Sequence, residues 1–331
     1  MKKVCVILFL LAFSLNIFAQ KQGKYTNLFN EQKIRDLTRF IADDGFQGRA
    51  PGSAAGELSA KFIALQLQQL GIKPANNGSY FQPVSLVAIK TDPKTVLTVD
   101  GRNYQFGDDF VGSTGAQTDN ISVNAELVFV GYGIDAPEQN WNDYKGDKSS
   151  YKGKILVMMV NDPPATDKEP NLFGGKNLTY YGRWTYKFEQ AARLGAAGVI
   201  LIHTTDSAGY GWNVVRTSNG NWRFDVARTP EDKTPYLNWR SWVTEDTARA
   251  IFKQGGKDMD ELRIKARSRD FKPVNLGVRA KLDVKSELKR VDSNNVVGIW
   301  EGSDSSLKNE YVLYTAHWDH LGVGEKDANG D

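Results

Sequence analysis

Two runs without a polar residue, Ile155 to Val160 and Gly198 to Ile202, stand either side of a helical pattern from about Arg183 to Leu194. This strand–helix–strand order constrains the fold more than any other feature, because strands of that composition need helices packed over them and so predict a small α/β unit with its own core. Within the helix, Trp184, Phe188 and Ala191 share one face, Lys187 and Arg193 lie away from it, and Gly195 caps its end. A preceding strand over Ala125–Ile134 and a closing helix from about Thr244 to Lys253 bound the unit at residues 118–263. Gly209 to Asp225, with Tyr210, Trp212, Trp222 and Phe224 among glycines and asparagines, reads as an ordered aromatic flap. Gly131-Tyr132-Gly133 is a turn and not a dinucleotide fingerprint, since no third glycine follows at the right place. His203, at the end of a buried strand, reads as a structural histidine.

The flanks have a different texture. Glu31 to Ala42 places Ile34, Leu37 and Ile41 on one helical face, and a second helix from about Glu57 to Leu70 uses Leu58, Phe62 and Leu65. Between them Gly48-Arg49-Ala50-Pro51-Gly52-Ser53 forbids a regular element, and Arg49 is expected to tie down loop carbonyls. A hairpin is expected over Thr95–Asp100 and Tyr104–Phe106. Beyond the α/β unit, strands are expected at Val274–Val284, Asn294–Glu301 and Tyr311–Thr315. The last of these leads into Ala316-His317-Trp318-Asp319-His320-Leu321-Gly322, which holds two of the three histidines in the chain. In an extended backbone His317 and Asp319 project to the same side, so one imidazole nitrogen can bind a metal while the other donates to the carboxylate.

The amino terminus carries Lys2 and Lys3, an apolar run from Val4 to Phe18 and a small residue at Ala19, the organisation of a secretory signal peptide over residues 1–19. The run is too short for a membrane span, so the mature chain is expected in the periplasm or outside the cell. Cys5, the only cysteine, lies inside that signal, which leaves no thiolate ligand and no disulfide in the mature chain. Removing Lys2 and Lys3 from the 42 basic residues leaves 40 against 39 acidic ones, a net charge of about +1. With no sustained Lys/Arg tract, nucleic acid is not an expected partner.

Ala-His-Trp-Asp-His-Leu-Gly after an apolar run resembles the first metal motif of the dizinc aminopeptidase family. The helix, Gly-Arg-x-Pro-Gly-Ser loop and helix ending in Leu-Gly resemble the way its catalytic domain begins. Leu127-Val-Phe-Val-Gly-Tyr-Gly133, Gly153-Lys-Ile-Leu-Val157 and Ala191-Ala-Arg-Leu-Gly-Ala-Ala-Gly-Val-Ile-Leu201 resemble the protease-associated domain often inserted in that family. The resemblance implies a zinc-exopeptidase α/β/α core, a mixed sheet flanked by helices, interrupted by that small α/β domain. The peptidase part would occupy residues 20–117 and resume at 264–331. It implies a metallo-aminopeptidase acting on peptides with two Zn2+ ions, His317 as a zinc ligand and Asp319 as its orienting partner; His320 matches a frequent family residue that is not a ligand. The family's bridging aspartate, paired glutamates and last histidine come later, and this sequence has no adjacent glutamate pair and no histidine after His320. The chain is therefore expected to be an amino-terminal fragment, inactive by itself, in which Asp327 and Asp331 offer at most weak oxygen ligation. A single-zinc glutaminyl-cyclase-like enzyme of the same family and a non-catalytic ligand-binding protein on the same fold are the alternatives. Neither His-Glu-x-x-His nor Gly-x-Ser-x-Gly occurs.

Overall fold

The structure, a computed structural model, describes residues 26–324. The signal at residues 1–19 and the carboxylates Asp327 and Asp331 lie outside the described residues. Ten strands form one mixed sheet: β1 (Phe81–Thr91), β2 (Val96–Val99), β3 (Arg102–Gln105), β4 (Phe110–Thr114), β5 (Asn120–Phe129), β6 (Ile155–Met159), β7 (Gly198–Ile202), β8 (Arg223–Val226), β9 (Trp239–Val243) and β10 (Val274–Val296). Their order is β8-β1-β10-β5-β6-β7-β9-β4, with the β2–β3 hairpin attached to β10. β5, β6, β7 and β9 run parallel, and the remaining pairings are antiparallel.

The all-apolar strands are buried on both faces, as a parallel sheet requires. Leu127, Phe129, Ile155, Val157, Ile200 and Trp239 point into one core; Val128, Leu156, Met158, Val199, Leu201 and Trp242 point into the other. Helix α3 (Trp184–Arg193) contributes Phe188, Ala191 and Ala192 to the second core. Helices α5 (Glu245–Gln254) and α6 (Met259–Lys265) contribute Ile251, Phe252 and Leu262 to the first. The chain is thus a mixed α/β protein whose sheet is flanked by helices.

β4 and the first half of β10 lie outside residues 118–263 yet pair with β9 and β5 inside them, so the sheet is continuous across both boundaries.

Several elements differ from expectation for identifiable reasons. The strands expected at Val274–Val284 and Asn294–Glu301 are one 23-residue strand, β10, followed by the short Gly298–Ile299. Its polar stretch from Ser286 onward remains extended because β1 pairs with it from Ser286↔Thr91 to Val296↔Phe81. The aromatic flap is instead helix α4 (Trp212–Gly220) followed by β8, with Val215 and Asn219 buried one turn apart and the Trp212 indole donating to the Gly107 carbonyl at 2.7 Å. Lys187, expected away from the packed face of α3, is fully buried. Tyr311–Thr315 has the composition of a strand but no regular structure; no strand among the described residues pairs with it, and Tyr311, Val312, Leu313 and Tyr314 are 75–91% exposed.

The amino-terminal helices form where expected, but α2 packs through another face. Helix α1 (Glu31–Ile41), opened by the Asn30 side chain accepting from the Lys33 amide, buries none of its residues. Helix α2 (Ala54–Gln69) starts three residues early because Ser53 caps the Gly56 amide. Its buried positions are Ala55, Gly56, Ser59, Ala60 and Ala64, whereas Leu58 and Leu65 remain 52% and 49% exposed. Small side chains let α2 approach β10 closely, and Glu57 at its start reaches Asn294 Nδ2 at 3.0 Å.

Candidate metal centre

The His317 segment has no regular secondary structure, and what holds it is the loop between α1 and α2. That loop is anchored by Phe46, buried and edge-on to Phe40 at 5.3 Å, and by the Asp43 carboxylate, which accepts from the Gly45 amide at 2.9 Å. Gln47, Gly48 and Arg49 follow with φ of 46°, 64° and 51°, three left-handed residues in succession. This turn presents the Gly48 and Arg49 carbonyls to the histidine segment, where they accept from the Gly322 and His320 amides, both at 2.9 Å.

The Arg49 guanidinium does what the sequence suggested for it. Nε donates to the Trp318 carbonyl at 2.9 Å and Nη1 donates to the Ile41 carbonyl, so one planar group ties the end of α1 to the histidine segment. From the opposite side the Trp318 indole donates to the Asn294 carbonyl of β10 at 3.0 Å.

Within this frame, His317 Nδ1 lies 2.7 Å from the main-chain carbonyl of Asp319. A carbonyl oxygen only accepts, so the proton of the neutral ring sits on Nδ1 and the Nε2 lone pair is free. The Asp319 carboxylate, expected to accept that N–H, stands 3.7 Å away, close enough to interact electrostatically but beyond a hydrogen bond. The His317 side chain is 78% exposed. His320 presents its ring at 6.5 Å from that of His317, and a cleft of about 520 Å³ opens beside it, lined by Asp43, Asp44, Gln47, Arg49 and Val323.

One imidazole with a free nitrogen and an oriented second nitrogen suits the first ligand of a zinc site. A complete site needs three or four ligands, and among the described residues no three His, Cys, Asp or Glu side chains cluster to hold a metal. His203, by contrast, is buried at the end of β7 beside the rings of Tyr210, Trp212 and Trp242, with Nε2 unpaired. Burial lowers its pKa, which favours the neutral ring.

Sequence reasoning missed Gly48, Gly322 and Asn294 as parts of the frame. The two glycines were visible in the Gly-Arg and Leu-Gly pairs. Asn294, used through its main chain, carried no signal.

Among solved structures, an aminopeptidase from Aneurinibacillus sp. strain AM-1 shares 17% identity, with 83% of this chain and 49% of that one covered and a TM-score of 0.39. A zinc aminopeptidase from Bacillus subtilis shares 15%, over 82% and 46%, at 0.31. A peptidase M28 precursor from Shewanella amazonensis SB2B shares 14%, over 80% and 52%, at 0.34. The chain spans about half the length of these structures. No family model matches the chain, and no curated protein does. No helix among the described residues is long and apolar enough to cross a membrane.

Proposed function

We propose that this chain belongs to an exported zinc-dependent aminopeptidase that removes amino-terminal residues from peptides, with residues 118–263 serving as an inserted protease-associated domain. The observation that carries this reading is the bond from His317 Nδ1 to the Asp319 carbonyl, which leaves Nε2 as a ready ligand on a segment tied to two neighbouring elements. Zinc held in such a site would acidify a water and polarise the scissile carbonyl. His317 would supply one nitrogen to it, and the Asp319 carboxylate, 3.7 Å from the ring, would place negative charge close to the metal.

The 331 residues offer one family ligand, so this chain alone is expected to be inactive; one imidazole does not hold a catalytic zinc. The test compares the protein purified from the exporting cell with the 331-residue chain in an aminoacyl-anilide assay, each with chelator and with zinc restored. Chelator-sensitive turnover by the former and none by the latter supports the reading. Turnover by neither, with peptide still bound, would favour a binding protein.

A further inference from the structure

Arg49 holds both peptide units that flank Asp319. The carbonyl of the unit joining Trp318 to Asp319 accepts from Arg49 Nε at 2.9 Å, and the amide of the unit joining Asp319 to His320 donates to the Arg49 carbonyl at 2.9 Å. The other end of that second unit is the Asp319 carbonyl, which faces His317 Nδ1 at 2.7 Å. A peptide unit is planar, and in the trans form its N–H and C=O point in opposite directions. Drawing the His320 amide toward Arg49 therefore turns the Asp319 carbonyl toward the imidazole.

We propose that Arg49 is the positioning residue of the His317 site: by fixing these two peptide planes it keeps the ring proton on Nδ1 and the Nε2 lone pair available to a divalent metal. The inference deepens the reading of His317 as a zinc ligand and rests on it for its consequence, though the contacts stand without metal. An imidazole as exposed as His317, given no acceptor at Nδ1, populates both neutral tautomers, and the form protonated on Nε2 binds no metal through that atom.

The same arrangement explains why Gln47 and Arg49 occupy a left-handed conformation that side chains other than glycine avoid. In that turn the Arg49 carbonyl and its guanidinium address successive peptide units of one segment. An ammonium group has donors enough but carries them on one nitrogen, whereas Nε and Nη1 of the planar guanidinium reach the Trp318 and Ile41 carbonyls from two atoms.

The metal-free 331-residue chain, labelled with 15N, gives the test. At a pH above the imidazole range the ring nitrogen shifts of His317 report its tautomer, and hydrogen exchange reports the His320 and Gly322 amides. In the unaltered chain the Nδ1–H form should dominate. Arg49→Ala and Arg49→Lys should both give a mixture and speed exchange at the two amides by about tenfold, the equivalent of one net hydrogen bond, while the amides of β6 and β7 remain protected. Should Arg49→Ala also expose those strands, Arg49→Lys alone carries the test. An unchanged tautomer in Arg49→Lys overturns the proposal, since charge would then suffice. Failure of the protein to bind zinc, with the tautomer shifting as stated, would count against the peptidase reading and leave Arg49's role intact.

Discussion

Gly48 and Gly322 meet backbone to backbone: the Gly322 amide donates to the Gly48 carbonyl at 2.9 Å, and a Cβ built on Gly48 would collide with the Gly322 carbonyl. Both residues have positive φ, 64° and 78°, so each is disfavoured for a side chain on conformational as well as steric grounds. The loop between α1 and α2 and the histidine segment can lie this close only because both positions lack a side chain.

Gly48→Ala should accordingly cost about 1–3 kcal/mol locally. Hydrogen exchange at Gly322 would rise while the midpoint of global unfolding moves little, because the sheet does not depend on this contact. A variant with the Gly322 amide as protected as before would show that the two segments are held by something else.

Trp239 provides the contrasting case. It is fully buried in the first core, edge-on to Phe110 at 6.3 Å, on the strand that joins the parallel strands to β4. Trp239→Ala should destabilise the whole sheet by about 3–5 kcal/mol in denaturant unfolding. A loss below about 1 kcal/mol would mean that the strand repacks or is not central to the core.

A third expectation concerns pH. Asp143 is buried and accepts from the Ile134 amide at 3.0 Å and the Trp141 indole at 2.9 Å, while fully buried Lys187 donates to the Asn161 carbonyl at 3.1 Å. Burial pushes the Asp143 carboxyl up to about 7, against the pull of its hydrogen bonds and of the Lys187 charge. Between its ordinary value of 3.8 and about 7 the folded chain holds a proton that the unfolded chain has released, so this group's contribution to stability falls as pH rises through that window. Burial pushes Lys187 down to about 7 from 10.5, so its contribution rises with pH above about 7. Asp143→Asn removes the first slope. Unfolding free energies of the two proteins should therefore converge, or cross in the variant's favour, from pH 4 to 7; parallel curves would show that Asp143 does not titrate there.

Export gives a fourth. Mass spectrometry of the protein from the exporting cell should find a chain beginning at Gln20, the residue after Ala19. An intact Met1 would remove the basis for placing the protein outside the cytoplasm.

The parts legible in the sequence were those whose signal is local. β6 and β7 announced themselves as apolar runs and α3 by its periodicity. The polar half of β10 was not legible, because its extended form is imposed by β1 across more than 190 residues. The packed face of α2 was misread for a related reason: closeness to β10 selects Ala60 and Ala64 over Leu58 and Leu65, and a hydrophobic pattern ranks them the other way. At the site, alternation pointed to the Asp319 carboxylate, which stands 3.7 Å away, and could not show that the Asp319 main-chain carbonyl accepts the ring N–H instead. That choice depends on peptide planes set from the loop at Arg49.

The role given to His317 is tested most directly in the zinc-loaded protein from the exporting cell, by the rate of aminoacyl-anilide hydrolysis in His317→Ala and Asp319→Asn. His317→Ala should abolish turnover. Asp319→Asn keeps the carbonyl that orients the ring and loses only the carboxylate at 3.7 Å, so its loss should lie near the lower end of the usual range for a ligand's supporting partner, about 10-fold rather than 100-fold. Undiminished, chelator-sensitive turnover by His317→Ala would contradict the assignment of this residue as a zinc ligand.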